Sequence, residues 1–188
     1  MKAVILKKIS KIFAKIYWAY LKPEIDNYVL SSQKNKFKFF GSNVIFKGSG
    51  EVFHPENIAI SDNVQIGSNY FLMGIGGIEI GEGTIISRNV CLHSGNHDFK
   101  SAGMIPYNKD YILKKISIGK GVWIGQNVNI LPGVKIGDGA IIGMGTSVSK
   151  NVGNYEIVVG GQQRLIGERS QHDFDDALKK DSFYAKYY

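Results

Sequence analysis

Aliphatic residues recur at every sixth position over long stretches of this 188-residue chain, and this spacing restricts the fold more than any other feature. One row of such residues runs through the C-terminal half, and a second row lies two residues before it. The rows are Ile118, Ile124, Ile130, Ile136, Ile142 and Val148, and Ile116, Val122, Val128, Val134, Ala140, Thr146 and Val152. Both rows also occur upstream, at 58–72 and 78–92. This period is neither that of an amphipathic helix nor that of a plain hairpin sheet.

The period predicts a parallel β-helix with three flat sides. Each unit supplies a short strand and a turn, so that every sixth side chain points into the same core. Three units make a coil of 18 residues, an offset that separates Gly119-x-Gly121 from Gly137-x-Gly139. Turns that need a left-handed backbone favour glycine and asparagine. The asparagines predicted at such turns are Asn63, Asn69, Asn89, Asn127 and Asn151.

Two interruptions break the rhythm. The eight-residue step from Leu72 to Ile80 indicates a two-residue insertion near Gly76 and Gly77. Between Leu92 and Ile116 the pattern disappears, which predicts a loop at 94–115. A β-helix does not need such a loop for its stability, and long loops in compact domains commonly carry function.

The net charge of +7 lies almost entirely at one end of the chain. Residues 1–50 hold ten lysines against two acidic residues, whereas the remaining residues hold 13 basic and 14 acidic side chains. The nearly neutral body argues against a nucleic-acid-binding core. We therefore expect no nucleic acid partner.

Targeting and redox features are sparse. The single cysteine, Cys91, cannot form an internal disulfide, so nothing calls for an oxidising compartment. Lysines interrupt the N-terminal apolar runs before they reach the length of a signal or membrane-spanning segment. A cytoplasmic protein is expected.

The two ends of the chain differ from the repeats. We assign 1–50 to a basic, partly helical extension, 51–166 to the β-helix and 167–188 to a C-terminal tail with a short helix at 173–180. Residues 2–22 place apolar and lysine side chains on different helical faces. The apolar face packs either on the β-helix or a neighbouring subunit, or on an anionic membrane surface, where each lysine contributes about 1 kcal/mol.

At this point the sequence resembles a known family, the hexapeptide-repeat (left-handed β-helix) acyltransferases, in the sugar O-acetyltransferase branch that contains the galactoside and maltose acetyltransferases. The resemblance covers roughly 58–166 and is strongest from Ile116 to Gly139, which reads ISIGKGVWIGQNVNILPGVKIGDG. It implies a left-handed β-helix, an acetyl-CoA donor, a homotrimer with active sites between subunits, and a sugar or polysaccharide-precursor acceptor. In the motif SGNHD it places His97 as the catalytic base, and it places Asn69 as the asparagine that orients the acceptor hydroxyl.

The chemistry of acetyl transfer explains why a histidine is expected at position 97. A sugar hydroxyl is a poor nucleophile at neutral pH, and an imidazole with an ordinary pKa near 6.5 can accept its proton and return it. The thiolate leaving group needs little acid assistance. No acyl-enzyme is required, so Cys91 has no assigned role. We also expect no metal requirement.

The resemblance also implies a coenzyme A groove. Its expected contacts are Trp123, Gly125, Gln126, Gly143, Met144, Ser149, Lys150 and Arg164. Cations and exposed backbone amides would hold the phosphates and the pantetheine arm. The chain departs from the family at Gln162, where a proline is usual, and at Gly167, where a second basic residue is expected.

Two alternative activities compete with O-acetylation. One is N-acylation of an amino sugar. The other is a zinc enzyme like the γ-type carbonic anhydrases, which share this β-helix and bind zinc through three histidines. Its only candidate ligands are His54, His93 and His97, whose spacing is a loose match.

Overall fold

The structure is a computed structural model that describes residues 2–22, 24–25, 32–98, 107, 109–161, 164–168 and 170–180. The chain divides into two compact units, Met1–Asn35 and Lys36–Tyr188. Among the described residues, no helix has both the length and the apolar character required to cross a membrane.

The first unit contains the predicted N-terminal helix. Helix α1 spans Lys2–Ile16, and a π-helical turn follows at Tyr17–Leu21. The sequence from Lys2 to Leu21 contains neither glycine nor proline, the two residues that most disfavour helix. All side chains from Leu6 to Leu21 are exposed.

The second unit consists almost entirely of short strands. In chain order they are β1 (Phe39–Phe40), β2 (Ile45–Lys47), β3 (Glu51–Phe53), β4 (Ile58–Ile60), β5 (Gln65–Gly67), β6 (Phe71–Met73), β7 (Ile78–Ile80), β8 (Ile85–Ile86), β9 (Cys91–His93), β10 (Gly95–His97), β11 (Tyr111–Leu113), β12 (Ile116–Ile118), β13 (Trp123–Ile124), β14 (Asn129–Ile130), β15 (Lys135–Ile136), β16 (Ile141–Ile142), β17 (Ser147–Val148), β18 (Glu156–Val159) and β19 (Arg164–Glu168).

These strands form the three sides of a left-handed parallel β-helix of about six turns, which confirms the predicted fold. The first side has the order β1-β4-β7-β12-β15 and the third β17-β14-β9-β6-β3. The second side has the order β19-β18-β16-β13-β8-β5-β2, in which only the β18–β19 pair is antiparallel. A separate antiparallel hairpin, β10–β11, projects between the third and fourth coils.

The two aliphatic rows form the core. In the second side, Ile124 lies in register with Ile86 below and Ile142 above, and each is at most 1% exposed. Every other member of the two rows is also buried. The period of six therefore places side chains of the same kind above one another along the axis of the β-helix. Their burial stabilises each coil against the next.

Thr84 and Thr146 place hydroxyl groups in these rows, and both are fully buried. The Thr84 hydroxyl donates to the Gly119 carbonyl at 2.8 Å and accepts from the Val122 backbone N–H at 3.2 Å. The Thr146 hydroxyl donates to the Gly143 carbonyl at 2.8 Å. Each buried hydroxyl is therefore hydrogen-bonded, as an apolar core requires.

The turns use left-handed backbone as predicted at four asparagines, Asn63, Asn69, Asn89 and Asn127, whose φ angles are 56–58°. Stacked turn asparagines also bond to one another, because the Asn89 amide donates to the Asn127 side-chain oxygen at 2.9 Å. The prediction for Asn151 is wrong, since its φ is not positive. Its side-chain oxygen instead accepts the Lys135 backbone N–H at 2.9 Å.

The β-helix begins earlier than residue 51, the start that we expected. Strand β1 pairs with β4 and β2 pairs with β5, so the first coil begins at Phe39. This coil is filled by aromatic side chains, with the Phe46 ring 4.9 Å from that of Tyr70. The aliphatic pattern that marks the later coils is therefore missing from its sequence.

A short helix packs along one corner of the last three coils of the β-helix. Helix α2 spans Gln171–Lys179, close to the predicted 173–180. Its buried Phe174 packs against Tyr155, with ring centroids 5.4 Å apart. A Cβ at Gly121 or Gly139 would lie 2.6 Å or 3.1 Å from the Phe174 ring, so both glycines make room for it.

Candidate active site

The expected loop at 94–115 contains a hairpin in its described part. Strands β10 and β11 pair in antiparallel register, with Gly95 opposite Leu113 and His97 opposite Tyr111. The Asp98 backbone N–H continues the ladder to the Asp110 carbonyl at 2.9 Å. Residues 99–106 and 108 lie outside the described residues. Backbone pairing therefore holds His97 on a short ribbon that leaves the end of the third side.

Two tyrosine rings flank the His97 imidazole. The Tyr107 ring stacks on it with centroids 3.8 Å apart and an interplanar angle of 13°. The Tyr111 ring lies 4.5 Å away, tilted by 35°. These contacts fix the plane of the imidazole. Sequence reasoning did not find either tyrosine, because no spacing rule identifies them within a region that lacks the repeat.

The Nδ1 atom of His97 is buried, and no described residue gives it a hydrogen bond. A buried polar nitrogen without a partner costs about 1–3 kcal/mol. Unpaired buried groups are rare in folded proteins and often mark functional positions. The partner of this atom therefore lies beyond the described residues.

Ser94 anchors the base of the hairpin and was also missed from the sequence. Its fully buried hydroxyl donates to the Met73 carbonyl at 2.6 Å and accepts from the Gly76 backbone N–H at 2.9 Å. The Ser94 carbonyl accepts the Lys114 N–H at 2.9 Å. Ser94 therefore ties together the predicted insertion near Gly76 and both strands of the hairpin.

Gly76 has no room for a side chain. A Cβ there would overlap the Ser94 carbonyl oxygen and would lie 2.8 Å from the Lys114 nitrogen. Both are backbone atoms that cannot turn away. The insertion thus passes so closely under the hairpin that glycine is required.

His93 holds the start of the hairpin. Its Nδ1 donates to the Gly95 carbonyl, and its ring stacks on Phe71 with centroids 6.1 Å apart. This hydrogen bond requires a proton on Nδ1. His93 therefore braces the first residue of β10.

The three histidines of the zinc alternative do not form a cluster. Within the described part of the chain, no group of three or more His, Cys, Asp or Glu side chains is arranged to hold a metal ion. His54 lies beside Glu56 instead, with Nδ1 and Oε1 3.1 Å apart. Bonding to its own backbone N–H, and then to His54, lowers the pKa of Glu56 below its usual value.

Asn69 lies at the other end of the third side from the hairpin. It precedes β6, whereas His97 follows β9, and these two strands are parallel neighbours. A strand of three residues is about 10 Å long. Asn69 is exposed and borders a cleft of about 420 Å³, whose other lining residues are Ser49, Gly50, Glu51, Tyr70 and Phe71. The structure thus does not bring His97 into the cleft beside Asn69.

A second cleft lies beside the insertion and the hairpin and has a volume of about 400 Å³. Three of its charged lining residues form an ion-pair group, in which Glu79 contacts Lys115 at 2.6 Å and Lys38 at 4.0 Å. Ile75 and Leu113 add apolar surface. The charges of this cleft are therefore largely paired with one another.

The residues predicted to contact coenzyme A fall into two groups. Trp123, Met144, Ser149 and Lys150 are exposed, with Trp123 54% and Met144 70% accessible. Gly125 and Gly143 have packing roles, because a Cβ would lie 2.7 Å from the Met144 nitrogen and 2.5 Å from the Val159 side chain, respectively. Gln126 is partly exposed, and the Arg164 side chain lies outside the described residues.

The backbone amides of Gly125 and Gly143 take part in the β-helix itself. Gly125 donates to the Ile142 carbonyl and Gly143 to the Val158 carbonyl, both at 2.8 Å. These bonds connect successive coils. A ligand that runs beside these two glycines would therefore meet other groups of the turns.

Cys91 is half-buried on β9, and burial raises the pKa of its thiol above the usual value. The thiolate is the nucleophilic form of cysteine, so this environment makes Cys91 a poor nucleophile near neutral pH. The observation agrees with a transfer that forms no acyl-enzyme.

Comparison with known proteins confirms the resemblance seen in the sequence. Residues 115–150 match the family model described as bacterial transferase hexapeptide (six repeats). The chain is 30% identical over 129 residues to WcaF of Escherichia coli (strain K12), named for an acetyltransferase role in colanic acid biosynthesis; the match covers 69% of this chain and 68% of WcaF.

Solved structures show the same similarity. A galactoside acetyltransferase in complex with coenzyme A superimposes with a TM-score of 0.64 and 30% identity, over 76% of this chain and 70% of that one. A maltose O-acetyltransferase from Clostridium difficile 630 gives a TM-score of 0.68 at 25% identity, over 73% of each chain.

Proposed function

This chain belongs to the hexapeptide-repeat acetyltransferase family, and on that premise we propose that it transfers an acetyl group from acetyl-CoA to a hydroxyl of a sugar or polysaccharide precursor. His97 acts as the general base. The observation that carries the proposal is the imidazole of His97, which is held between Tyr107 and Tyr111 on a hairpin and has a buried Nδ1 without a partner among the described residues.

The reaction needs only one base. One nitrogen of the His97 imidazole accepts the proton of the acceptor hydroxyl as the oxygen attacks the thioester carbonyl. The carbon–oxygen bond of the new ester forms, the carbon–sulfur bond breaks, and the thiolate of coenzyme A leaves. The imidazolium then returns its proton to the thiolate, so that coenzyme A departs as a thiol and His97 is neutral again.

The rigidity of the imidazole supports this role. A general base must lie within hydrogen-bonding reach of the proton that it removes, in the correct ring orientation. The stacked tyrosines fix that orientation, and Ser94 holds the hairpin to the β-helix. The ring nitrogen that does not act as the base determines the tautomer of the imidazole through its own hydrogen bond. For Nδ1, that partner would come from beyond the described residues.

The exposed side chains at successive turns support the acetyl-CoA donor. Trp123 and Met144 offer apolar surface to a pantetheine arm, and Lys150 offers a cation for phosphate. The similar galactoside acetyltransferase was solved with coenzyme A bound. An acetyl-CoA donor also supports the expected cytoplasmic location, because acetyl-CoA is a cytoplasmic metabolite.

The separation of His97 from Asn69 supports an active site shared between subunits. Within one chain the two residues lie at opposite ends of the third side. A neighbouring copy would bring its own Asn69 to the hairpin of the first, and a homotrimer would contain three such sites. Exposed apolar residues around the hairpin, Tyr111, Leu113 and Leu131, provide surface for this contact.

Subunit mixing tests the shared site. We expect His97→Ala and Asn69→Ala trimers to be nearly inactive when pure. When the two variants are unfolded together and refolded as mixed trimers, about one quarter of the interfaces combine an intact His97 with an intact Asn69. Activity should then return to about one quarter of the wild-type rate, measured as free thiol released from acetyl-CoA.

A double variant that carries both substitutions in one chain is the matched control. Mixing it with wild-type protein measures how much activity is lost when wild-type subunits assemble with inactive ones. Failure of the two single variants to complement each other, with mixed trimers verified by mass, would contradict a shared site.

The acceptor is identified by a screen with labelled acetyl-CoA. We expect acetylation of sugars or sugar nucleotides, with the label in an ester that mild base removes. A base-stable amide on an amino sugar would instead establish the N-acyltransferase alternative. Absence of thiol release with every acceptor tested would contradict the proposal.

A further inference from the structure

Helix α1 separates charged and apolar side chains onto opposite faces. At about 100° per residue, the lysines after the first turn occupy one arc about 100° wide. They are Lys7, Lys8, Lys11 and Lys15. The large apolar residues occupy an arc about 120° wide on the other side. They are Leu6, Ile9, Ile12, Phe13 and Ile16.

The apolar face of α1 is exposed along its length. Phe13 is 69% accessible and Ile12 is 59% accessible. The α-helix of 15 residues is about 22 Å long. The turn that follows it adds exposed aromatic rings at Tyr17, Trp18 and Tyr20. A continuous apolar stripe of this size on a surface marks a place where something else binds.

The charge of this segment identifies the partner. Residues 1–22 contain six lysines and no acidic residue, whereas 23–188 contain 17 basic and 16 acidic side chains. Neither the rest of this chain nor a second copy has the excess of negative charge that would complement these lysines. A bilayer rich in anionic phospholipid has it, together with an apolar interior for the other face.

We propose that α1 and the turn Tyr17–Leu21 bind in the plane of an anionic phospholipid surface. The apolar face lies at the level of the acyl chains, and the lysines reach the phosphate groups at either side. Trp18 and the tyrosines of the turn are side chains that favour the boundary between headgroups and acyl chains. Phospholipid binding requires no acetyl-CoA, so this property is independent of the acetyl-transfer reaction.

Co-sedimentation of the full chain with vesicles tests the proposal. We expect binding to phosphatidylcholine vesicles that contain roughly one third phosphatidylglycerol, and much weaker binding to pure phosphatidylcholine. Replacing Lys8, Lys11 and Lys15 with glutamine should weaken binding to anionic vesicles about 100-fold, at roughly fivefold for each lysine. Added salt should weaken wild-type binding in the same direction.

A charge-matched control separates the helix from the net charge of the protein. Lys36, Lys135 and Lys179 are exposed and lie outside α1. Replacing these three with glutamine changes the net charge by the same amount and should leave vesicle binding unchanged. Equal losses in both triple variants would overturn the proposal, because they would show that binding depends only on overall charge.

A second variant tests the apolar face. Ile9→Ser with Phe13→Ser keeps every lysine and should abolish most binding to anionic vesicles. Its oligomer size in sedimentation velocity should equal that of the wild type. Dissociation of the oligomer by this variant would overturn the proposal, since the apolar face would then pack on protein. Wild-type protein that binds neither kind of vesicle would also overturn it.

Discussion

Replacing His97 with alanine is expected to lower the kcat of acetyl transfer about 1,000-fold, because the acceptor hydroxyl loses the only base proposed to remove its proton. The KM for acetyl-CoA should change little, since the residues that support donor binding lie on other turns. The rate is measured as acceptor-dependent release of free thiol from acetyl-CoA. The side chain lies on a projecting hairpin outside the core, so the melting temperature should remain close to that of the wild type.

His172→Ala is the matched control for this loss. His172 is an exposed residue of α2, remote in the sequence from the hairpin. Its removal should leave kcat and the melting temperature unchanged. Undiminished turnover by the His97→Ala protein would contradict the proposed role of the imidazole.

Replacing Gly76 with alanine is expected to destabilise the protein by about 3 kcal/mol and to lower its melting temperature by about 6–12 °C. The added Cβ would overlap the Ser94 carbonyl oxygen and crowd the Lys114 nitrogen, so the base of the hairpin must move. Since the hairpin positions His97, kcat should also fall, by about tenfold or more. Thermal unfolding and the thiol assay measure the two effects.

Gly167→Ala serves as the comparison for Gly76→Ala. A Cβ at Gly167 would have no atom of the described residues within 4 Å, and this glycine lies in β19, outside the hairpin. Its melting temperature should stay near the wild-type value. If the Gly76 variant melts at the wild-type temperature, the close approach of the insertion to Ser94 is not a constraint on the fold.

Much of the candidate site could be located from the sequence, but its chemical surroundings could not. The motif around His97 and the loss of the repeat after Leu92 pointed to the segment that forms the hairpin in the structure. The tyrosines that hold the imidazole belong to that same segment, where no period relates one residue to the next. Ser94 was also missed, because its role depends on Met73 and Gly76, which lie in a different coil.

The turns expected to contact coenzyme A also serve the fold. The sequence placed Gly125 and Gly143 beside the pantetheine arm, and in the structure the backbone amides of both donate to the next coil. Glycine at these positions is explained by the close stacking of coils. A residue that a family resemblance associates with a ligand can thus be required by the backbone alone.

The two aliphatic rows were sufficient to predict the β-helix and its core, and the turn asparagines predicted left-handed backbone correctly at four positions. The sequence could do so because each coil packs on a copy of the same pattern, and therefore a local period specifies contacts between coils. The tertiary structure decided where the first coil begins, how the hairpin pairs, and what surrounds His97. Those contacts join non-repeating segments, and their geometry depends on how aromatic rings and backbone groups meet in space.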